Sequence, residues 1–389
     1  MTAERTAEGP PLLTEVRVVG PVTRVRMLSG EIGYLVTRFE EAQQVLADPV
    51  FSRAALFRPG APRELPRETV GTPRTLFNMD PPDHTRLRRV VAKGFTRKRI
   101  DSLRAGIETV VDGLLDGMAE TGPPADLVEA LCVPLPVTEI CQLLGVPYED
   151  RASFRAWTET VMSVTGYTQE EVGRARQDLH RYLTALVAAK RAEPADDFLS
   201  ALLVIRDEED RISEEELVSL GITLLVAGHG TTMNQLGGSV HALLTRPGMY
   251  AALHQDPGLI PTAVEELLRL VPAVTVSSPR LATEDVELGG VLVPAGSVVA
   301  LSAIAANRDP AVFAEPETMD LARPDNHHIT FGHGPHFCVG TQLARAELQV
   351  AIGSLVRRFP DLRLAVDPAE IRWRTSALIQ GPVELPVAW

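Results

Sequence analysis

Cys338 is the residue in this chain best placed to do chemistry. It sits in Phe331-Gly-His-Gly-Pro-His-Phe-Cys-Val-Gly340, and Gly340-Thr-Gln-Leu-Ala-Arg-Ala-Glu-Leu-Gln349 then reads as the opening of a helix. The positive end of the peptide dipoles favours a thiolate there, so the placement predicts a thiol pKa below its free value of about 8.5. Gly332, Gly334 and Gly340 let backbone approach a flat object and supply φ > 0 where needed. A single thiolate ligand to the metal of a planar cofactor asks for such a loop.

The run Phe-Gly-x-Gly-x-His-x-Cys-x-Gly resembles, at every fixed position, the cysteine-ligand loop of the cytochrome P-450 superfamily, the haem-thiolate monooxygenases. The resemblance implies haem b (iron protoporphyrin IX) with Cys338 as axial thiolate, Phe331, Gly332 and Gly340 around it, and O2 as co-substrate. Asp80-Pro-Pro-Asp-His-Thr-Arg-Leu-Arg-Arg89 reads as a helix start with Asp80 as N-cap and Pro81 in first position. His84 and Arg88 then share one face and suit a pair of carboxylates, or else form a solvated basic face. By resemblance they, Arg280 and His336 reach the haem propionates. Glu266 and Arg269 are three apart on a helix, ordinarily a weak surface pair. They match the family's Glu-x-x-Arg element, with Arg323 as third partner, and the triad is expected to position the cysteine loop.

Ser213-Glu-Glu-Glu216 fits a capping box, and the helix it opens runs to Thr245, roughly 48 Å at 1.5 Å per residue. Its middle reads Leu225-Val-Ala-Gly-His-Gly-Thr-Thr-Met233. Gly228 and Gly230 each cost about 1 kcal/mol relative to Ala inside a helix. One reading is close helix packing; the other is a local opening that leaves room for O2, with Thr231 relaying protons. Ala227, Gly228, Gly230, Thr231 and Thr232 are the candidate catalytic positions. Most relatives carry an acid where this chain has Gly230. Water, a polar group of the substrate, or a one-electron coupling chemistry are the three consequences open at this point.

Substrate walls are expected in the loop Phe57–Phe77, in Phe154–Tyr167, and at Leu224, Ala227, Val274, Val276, Leu378 and Ile379, with Thr275, Ser277 and Gln380 as polar anchors. An apolar pocket with few polar handles suits a medium or large natural product. Thr85–Arg104 holds eight Arg or Lys and one Asp. Resemblance puts this basic stretch on the cysteine side of the haem, where a ferredoxin, recharged by an NAD(P)H-dependent ferredoxin reductase, would dock; a solvated helix face is the plain alternative.

The elements that must hold these residues are mostly helical. Arg99–Glu120, Glu170–Arg191, Glu214–Thr245, Thr262–Val271 and Thr341–Phe359 show helical patterning. Short strands are expected near 16–36, 286–301 (hairpin at Gly289-Gly290) and 363–387. The expectation is a mainly α protein with a small β region, one large helical domain over 1–389. The chain has 389 residues, 45% hydrophobic and 23% charged, with net charge −13. That charge speaks against a nucleic-acid partner. The start shows no leader pattern and no apolar run reaches membrane-spanning length, so a soluble cytoplasmic protein is expected. Three cysteines give no disulfide framework, and Cys132 and Cys141 read as core residues. A haem sensor without turnover would not need Thr231 or the basic stretch. A zinc site at Cys338 with His327, His328, His333 and His336 lacks the paired-cysteine spacing.

Overall fold

The computed structural model describes residues 20–27, 29–62, 74–162, 166–209, 212–374 and 379–389. Leu378 and parts of the two expected substrate loops, 63–73 and 163–165, lie outside them. In chain order the helices are α1 (Phe39–Ala47), α2 (Asp83–Ala92), α3 (Arg97–Thr121), α4 (Pro134–Leu144), α5 (Arg151–Met162) and α6 (Gln169–Ala192). Then come α7 (Phe198–Glu209), α8 (Glu214–Thr245), α9 (Met249–Gln255), α10 (Ile260–Leu270), α11 (Ala303–Ala306) and α12 (Thr341–Arg358). The strands are β1 (Val22–Arg26), β2 (Ile32–Val36), β3 (Phe51–Ser52), β4 (Ala125–Asp126), β5 (Arg280–Ala282), β6 (Val286–Leu288), β7 (Val291–Val293), β8 (Val298–Leu301), β9 (Arg363–Leu364) and β10 (Pro386–Ala388). The protein is mainly α with small sheets, as the patterning indicated.

Local chemistry explains the boundaries. Ser213 Oγ accepts from the Glu216 amide at 3.1 Å, and Glu216 accepts from the Ser213 amide at 2.8 Å. This reciprocal pair satisfies two donors that a helix start leaves open. α3 begins two residues before the expected Arg99 because Thr96 caps it, accepting from the Arg99 amide at 3.4 Å. α10 begins at Ile260 because Pro261 is tolerated in a first turn, where no amide donor is needed. The Gly289-Gly290 hairpin forms, with Leu288 opposite Val291.

α8 is apolar almost all round and is buried on most of its length, which suits a helix threaded through a core. It packs on α4, α5, α6, α10 and α12. The five-stranded sheet, in order β1-β2-β8-β5-β3, covers a second core that includes Val36, Phe39, Val299 and Phe313. β2 and β8 run parallel, and β5 and β8 antiparallel with Arg280 opposite Val299, so the sheet fixes where Arg280 stands.

The cysteine loop is fastened to this sheet domain side by α1. Gly334 has φ +67°, and a Cβ there would lie 2.7 Å from the Leu46 carbonyl oxygen and 3.0 Å from Ala47 Cα. Both the left-handed backbone and the approach to α1 exclude a side chain. Gly334→Ala is therefore expected to cost about 1–3 kcal/mol in urea unfolding; an unchanged midpoint would show that α1 and the loop are not in rigid contact.

Candidate active site

Cys338 follows a tight turn and precedes α12. Its amide donates to the Phe331 carbonyl at 2.8 Å, and the Thr341 hydroxyl donates to its carbonyl at 2.6 Å. Gly332 has φ +78°. Gly340 has φ −81° and needs no glycine for its backbone; a Cβ there would only come to 3.9 Å from the sulfur. The expectation of a depressed thiol pKa is corrected. Cys338 is accessible, yet protein crowds it, and burial pushes its thiol up against the hydrogen bonds at Gly340 and Thr341 and the charges of Arg88 and Arg345. A coordinating metal deprotonates a thiol outright, so the helix end need not do so alone.

Asp80 does not cap α2; it serves the preceding segment. Its carboxylate accepts from Ser52 Oγ and from the Arg53 and Ala54 amides, the latter two at 2.9 and 3.3 Å. Pro82 occupies the cap position without a side-chain bond. The placement of His84 and Arg88 on one face holds. The His84 ring lies 4.1 Å from the His336 ring. Arg88 donates to the Phe337 carbonyl. Among the described residues the Arg280 side chain, 4% exposed, makes one weak hydrogen bond, to the Ser278 carbonyl at 3.5 Å.

Burial and neighbouring cations shift the two histidines toward their neutral forms. Burial lowers the pKa of His84, with Arg88 adding to it, and lowers that of Arg280 to about 10. His336 falls to about 3, through burial first and then the charges of His84, Arg280, Arg53 and Arg88. Among the described residues no ion pair joins any of His84, Arg88, Arg280 or His336 to a carboxylate. The buried Nδ1 of His84 has no partner. Two guanidiniums and two imidazoles gather beside an accessible thiol; the charge of Asp80 reaches His84 and Arg280, but among the described residues no carboxylate pairs with any of the four, an arrangement that fits a planar cofactor bearing two carboxylates.

The Glu266 triad forms as expected. Arg269 Nε and Nη2 donate to the two Glu266 oxygens at 2.8 Å each, and Arg323 Nε reaches them at 3.1 and 3.2 Å. Arg269 also donates to the carbonyls of Asn307, Pro316 and Thr318. Asn307, which sequence reasoning missed, carries the restraint onward. Its side chain donates to Thr330 Oγ1 at 2.9 Å and accepts from the Ile329 amide at 2.9 Å, two residues before Phe331.

α8 is unbroken across 214–245, which corrects the expected local opening. Gly228 answers to packing: a Cβ would meet Ile140 of α4 at 3.1 Å. Gly230 does not, since a Cβ there would meet only Ile379 at an ordinary 3.7 Å. Thr231 Oγ1 donates to the Ala227 carbonyl at 2.7 Å, and Asn234 donates to the Gly230 carbonyl at 2.7 Å. Ala227 is exposed although Leu225 and Val226 beside it are buried, so this face of the helix is not closed by packing. Val274 bridges Ile379, and Val276 bridges Ser302, which brings Val274, Ile379 and Gly230 together. Leu224 is buried.

Two buried carboxyls also escaped the sequence reading. Glu139 (α4) and Glu347 (α12) are 3% and 2% exposed. Burial pushes Glu139 up to about 7. Burial, and then Glu139, hold Glu347 well above the carboxylate range, against the hydroxyl of Thr232. Neither residue belongs to a motif, and only the meeting of α4, α8 and α12 reveals them.

The sequence profile of the family described as Cytochrome P450 matches residues 151–257 and 258–376. The chain belongs to the cytochrome P450 family. This P450 is 49% identical over 381 residues to nocardicin C N-oxygenase of Nocardia uniformis subsp. tsuyamanensis, covering 97% of this chain and 95% of that one. The solved structure of the putative thioether synthase SgvP, involved in the tailoring step of griseoviridin, superposes with TM-score 0.93 at 47% identity, covering 98% and 97% of the two chains. That of cytochrome P450mel 107F1, with biaryl coupling reactivity, gives TM-score 0.91 at 41% identity, covering 98% and 97%. Other relatives are named as hydroxylases or monooxygenases. This P450 is a monooxygenase by these relationships, and membership implies haem held through a cysteine thiolate. Among the described residues no helix is long and apolar enough to cross a membrane.

The raised Glu139 pKa has a measurable sign. Between about 4.5 and 7 the folded protein binds more protons at this carboxyl than the unfolded chain, so stability falls as pH rises, by about 1.4 kcal/mol per unit for one proton. Glu139→Gln removes that loss. Its unfolding free energy should exceed that of the wild type by more at pH 8 than at pH 5; an equal gap at both would place Glu139 ionised in the folded state.

Proposed function

We propose that this P450 uses O2 and ferredoxin-delivered electrons to hydroxylate or epoxidise a medium-to-large secondary metabolite. The observation that carries the reading is the accessible Cys338 thiol beside His84, Arg88, Arg280 and His336, four groups that no carboxylate pairs with at contact distance among the described residues. In this reading Cys338 would bind the haem iron through its thiolate, and Arg88 and Arg280 by charge, with His84 and His336 by hydrogen bonds, would hold the propionates. Haem, when bound, supplies the reductive activation of O2. The Thr231 hydroxyl orients and passes protons on the cavity face of α8, with Ala227 leaving it space. Glu266, Arg269 and Arg323 hold the loop at its distance. Val274, Val276, Ile379, Leu224 and, outside the described residues, Leu378 form an apolar wall that excludes water.

A second reading, oxidative C–C or C–N coupling on the same scaffold, is favoured by Gly230. No packing demand explains this glycine, and the family's usual acid is missing there. The biaryl coupling and thioether-forming reactivities named for two similar structures support keeping it. The test is product analysis on candidate metabolites with a ferredoxin system, after the reduced protein has shown the long-wavelength carbonyl band of a thiolate-ligated haem. Hydroxylated or epoxidised product supports the first reading, and dimerised or cyclised product without added oxygen supports the second. Gly230→Glu should raise coupling of electrons to product if proton supply limits the first reaction. An absent carbonyl band overturns both.

The ferredoxin is proposed to dock on exposed Arg89, Lys93, Arg97 and Lys98 beside exposed Phe337. Charge reversal at Arg97 and Lys98 should slow reduction about tenfold at low salt and flatten its salt dependence. Unchanged rates with unchanged salt dependence would move the docking face elsewhere.

A further inference from the structure

Beside the Glu266 triad, α10 offers a second acid in the opposite direction. Glu265 meets Arg345, from the second turn of α12, through two parallel bonds of 2.7 Å. Its Oε2 also lies 3.2 Å from His328 Nε2. The Thr330 amide donates to His328 Nδ1 at 3.3 Å, so the proton assigned to this ring sits on Nε2 and is donated to Glu265. The guanidinium carbon of Arg345 stands 4.8 Å over the Phe331 ring, and the His328 ring is 5.8 Å from it. Phe331 in turn receives the Cys338 amide on its carbonyl at 2.8 Å. The charge of Arg345 is felt at the sulfur. Glu265 is held at about 2, since the bonds from His328 and Arg345 outweigh its burial, so its negative charge is constant.

A solvent-facing ion pair contributes little. This one is forked, half-buried and stacked on the residue that anchors the ligand's amide. We propose that Glu265 is a positioning residue for the cysteine ligand: it clamps Arg345 on Phe331 and offsets the arginine's charge beside Cys338. The proposal rests on Cys338 ligating haem. Glu266 orients the polypeptide that leads to the loop, whereas Glu265 sets the charge the ligand experiences.

The test is the equilibrium reduction potential of the purified holoenzyme in four forms: wild type, Glu265→Gln, Arg345→Gln and the double variant. An uncompensated cation near the sulfur favours the electron-richer state, so Glu265→Gln should raise the potential. Arg345→Gln leaves an uncompensated anion and should lower it. A unit charge about 10 Å away across an effective dielectric of about 20 changes the reduced-to-oxidised ratio on the order of tenfold at fixed poise. The double variant should return close to wild type. A merely structural clamp would shift both single variants in one direction, and that result, or no shift in either, overturns the proposal. Arg345→Lys keeps the charge and loses the fork. It should hold the wild-type potential while hydrogen exchange at the Cys338 amide quickens; unchanged exchange would remove the positioning half. A wild type without the thiolate carbonyl band refutes haem ligation itself, whereas a normal band with same-sign shifts refutes this inference alone.

Discussion

The Glu266–Arg269 pair has no exposure at all, and the cysteine loop hangs from it. Removing two charges from water is costly, and such a pair adds little net stability even when well made. Its consequence here is geometric. Every oxygen of Glu266 is engaged by Arg269, Arg323, Asn326 and the Asp320 amide, and Arg269 spends its remaining donors on the carbonyls of 307, 316 and 318. A chain segment that has no regular secondary structure is thereby given one position. Asn307 and Thr330 pass that position to the turn at 331–338, and Gly334 presses the turn on α1. A loop held from two sides can present a thiol at a fixed place.

Charge is sorted around that thiol. Cation-capable groups from α2, β5 and the loop itself gather on one side, where Asp80 is the carboxylate felt by His84 and Arg280 and burial favours the neutral forms of the two histidines. Acids also appear beneath α8, as Glu139 and Glu347, buried and held toward their neutral forms. On the face of the same helix that carries Ala227, the residue before Thr231 is Gly230. Buried acidity lies in the core, at Glu139 and Glu347.

Part of the site was legible from one dimension. Cys338, the Glu266/Arg269 spacing and the Ser213 capping box are short-range patterns, and short-range patterns survive into structure because backbone hydrogen bonding and helix periodicity are local. His84 and Arg88 on one face follow from the same periodicity. Asp80 was misread because a helix start competes with every other donor nearby, and Ser52 and Arg53, 28 and 27 positions upstream, won its carboxylate. The glycines of α8 looked alike in sequence and proved different. Gly228 meets Ile140 and Gly230 meets almost nothing, a distinction made by α4 and the turn at 379.

The sequence by itself determined the class of protein and its helical body, and it singled out the cysteine and the cation-capable residues proposed to hold a dianionic cofactor, because residue type and local spacing carry that information. Only the tertiary structure decided what each of those groups experiences. The thiol is raised rather than lowered, Asn307 and Glu265 prove to be partners of the loop, and two acids are buried side by side. Solvation and pairwise charge depend on which distant segments come within a few ångströms, and residues 265 and 345 acquire that proximity only when α10 and α12 pack.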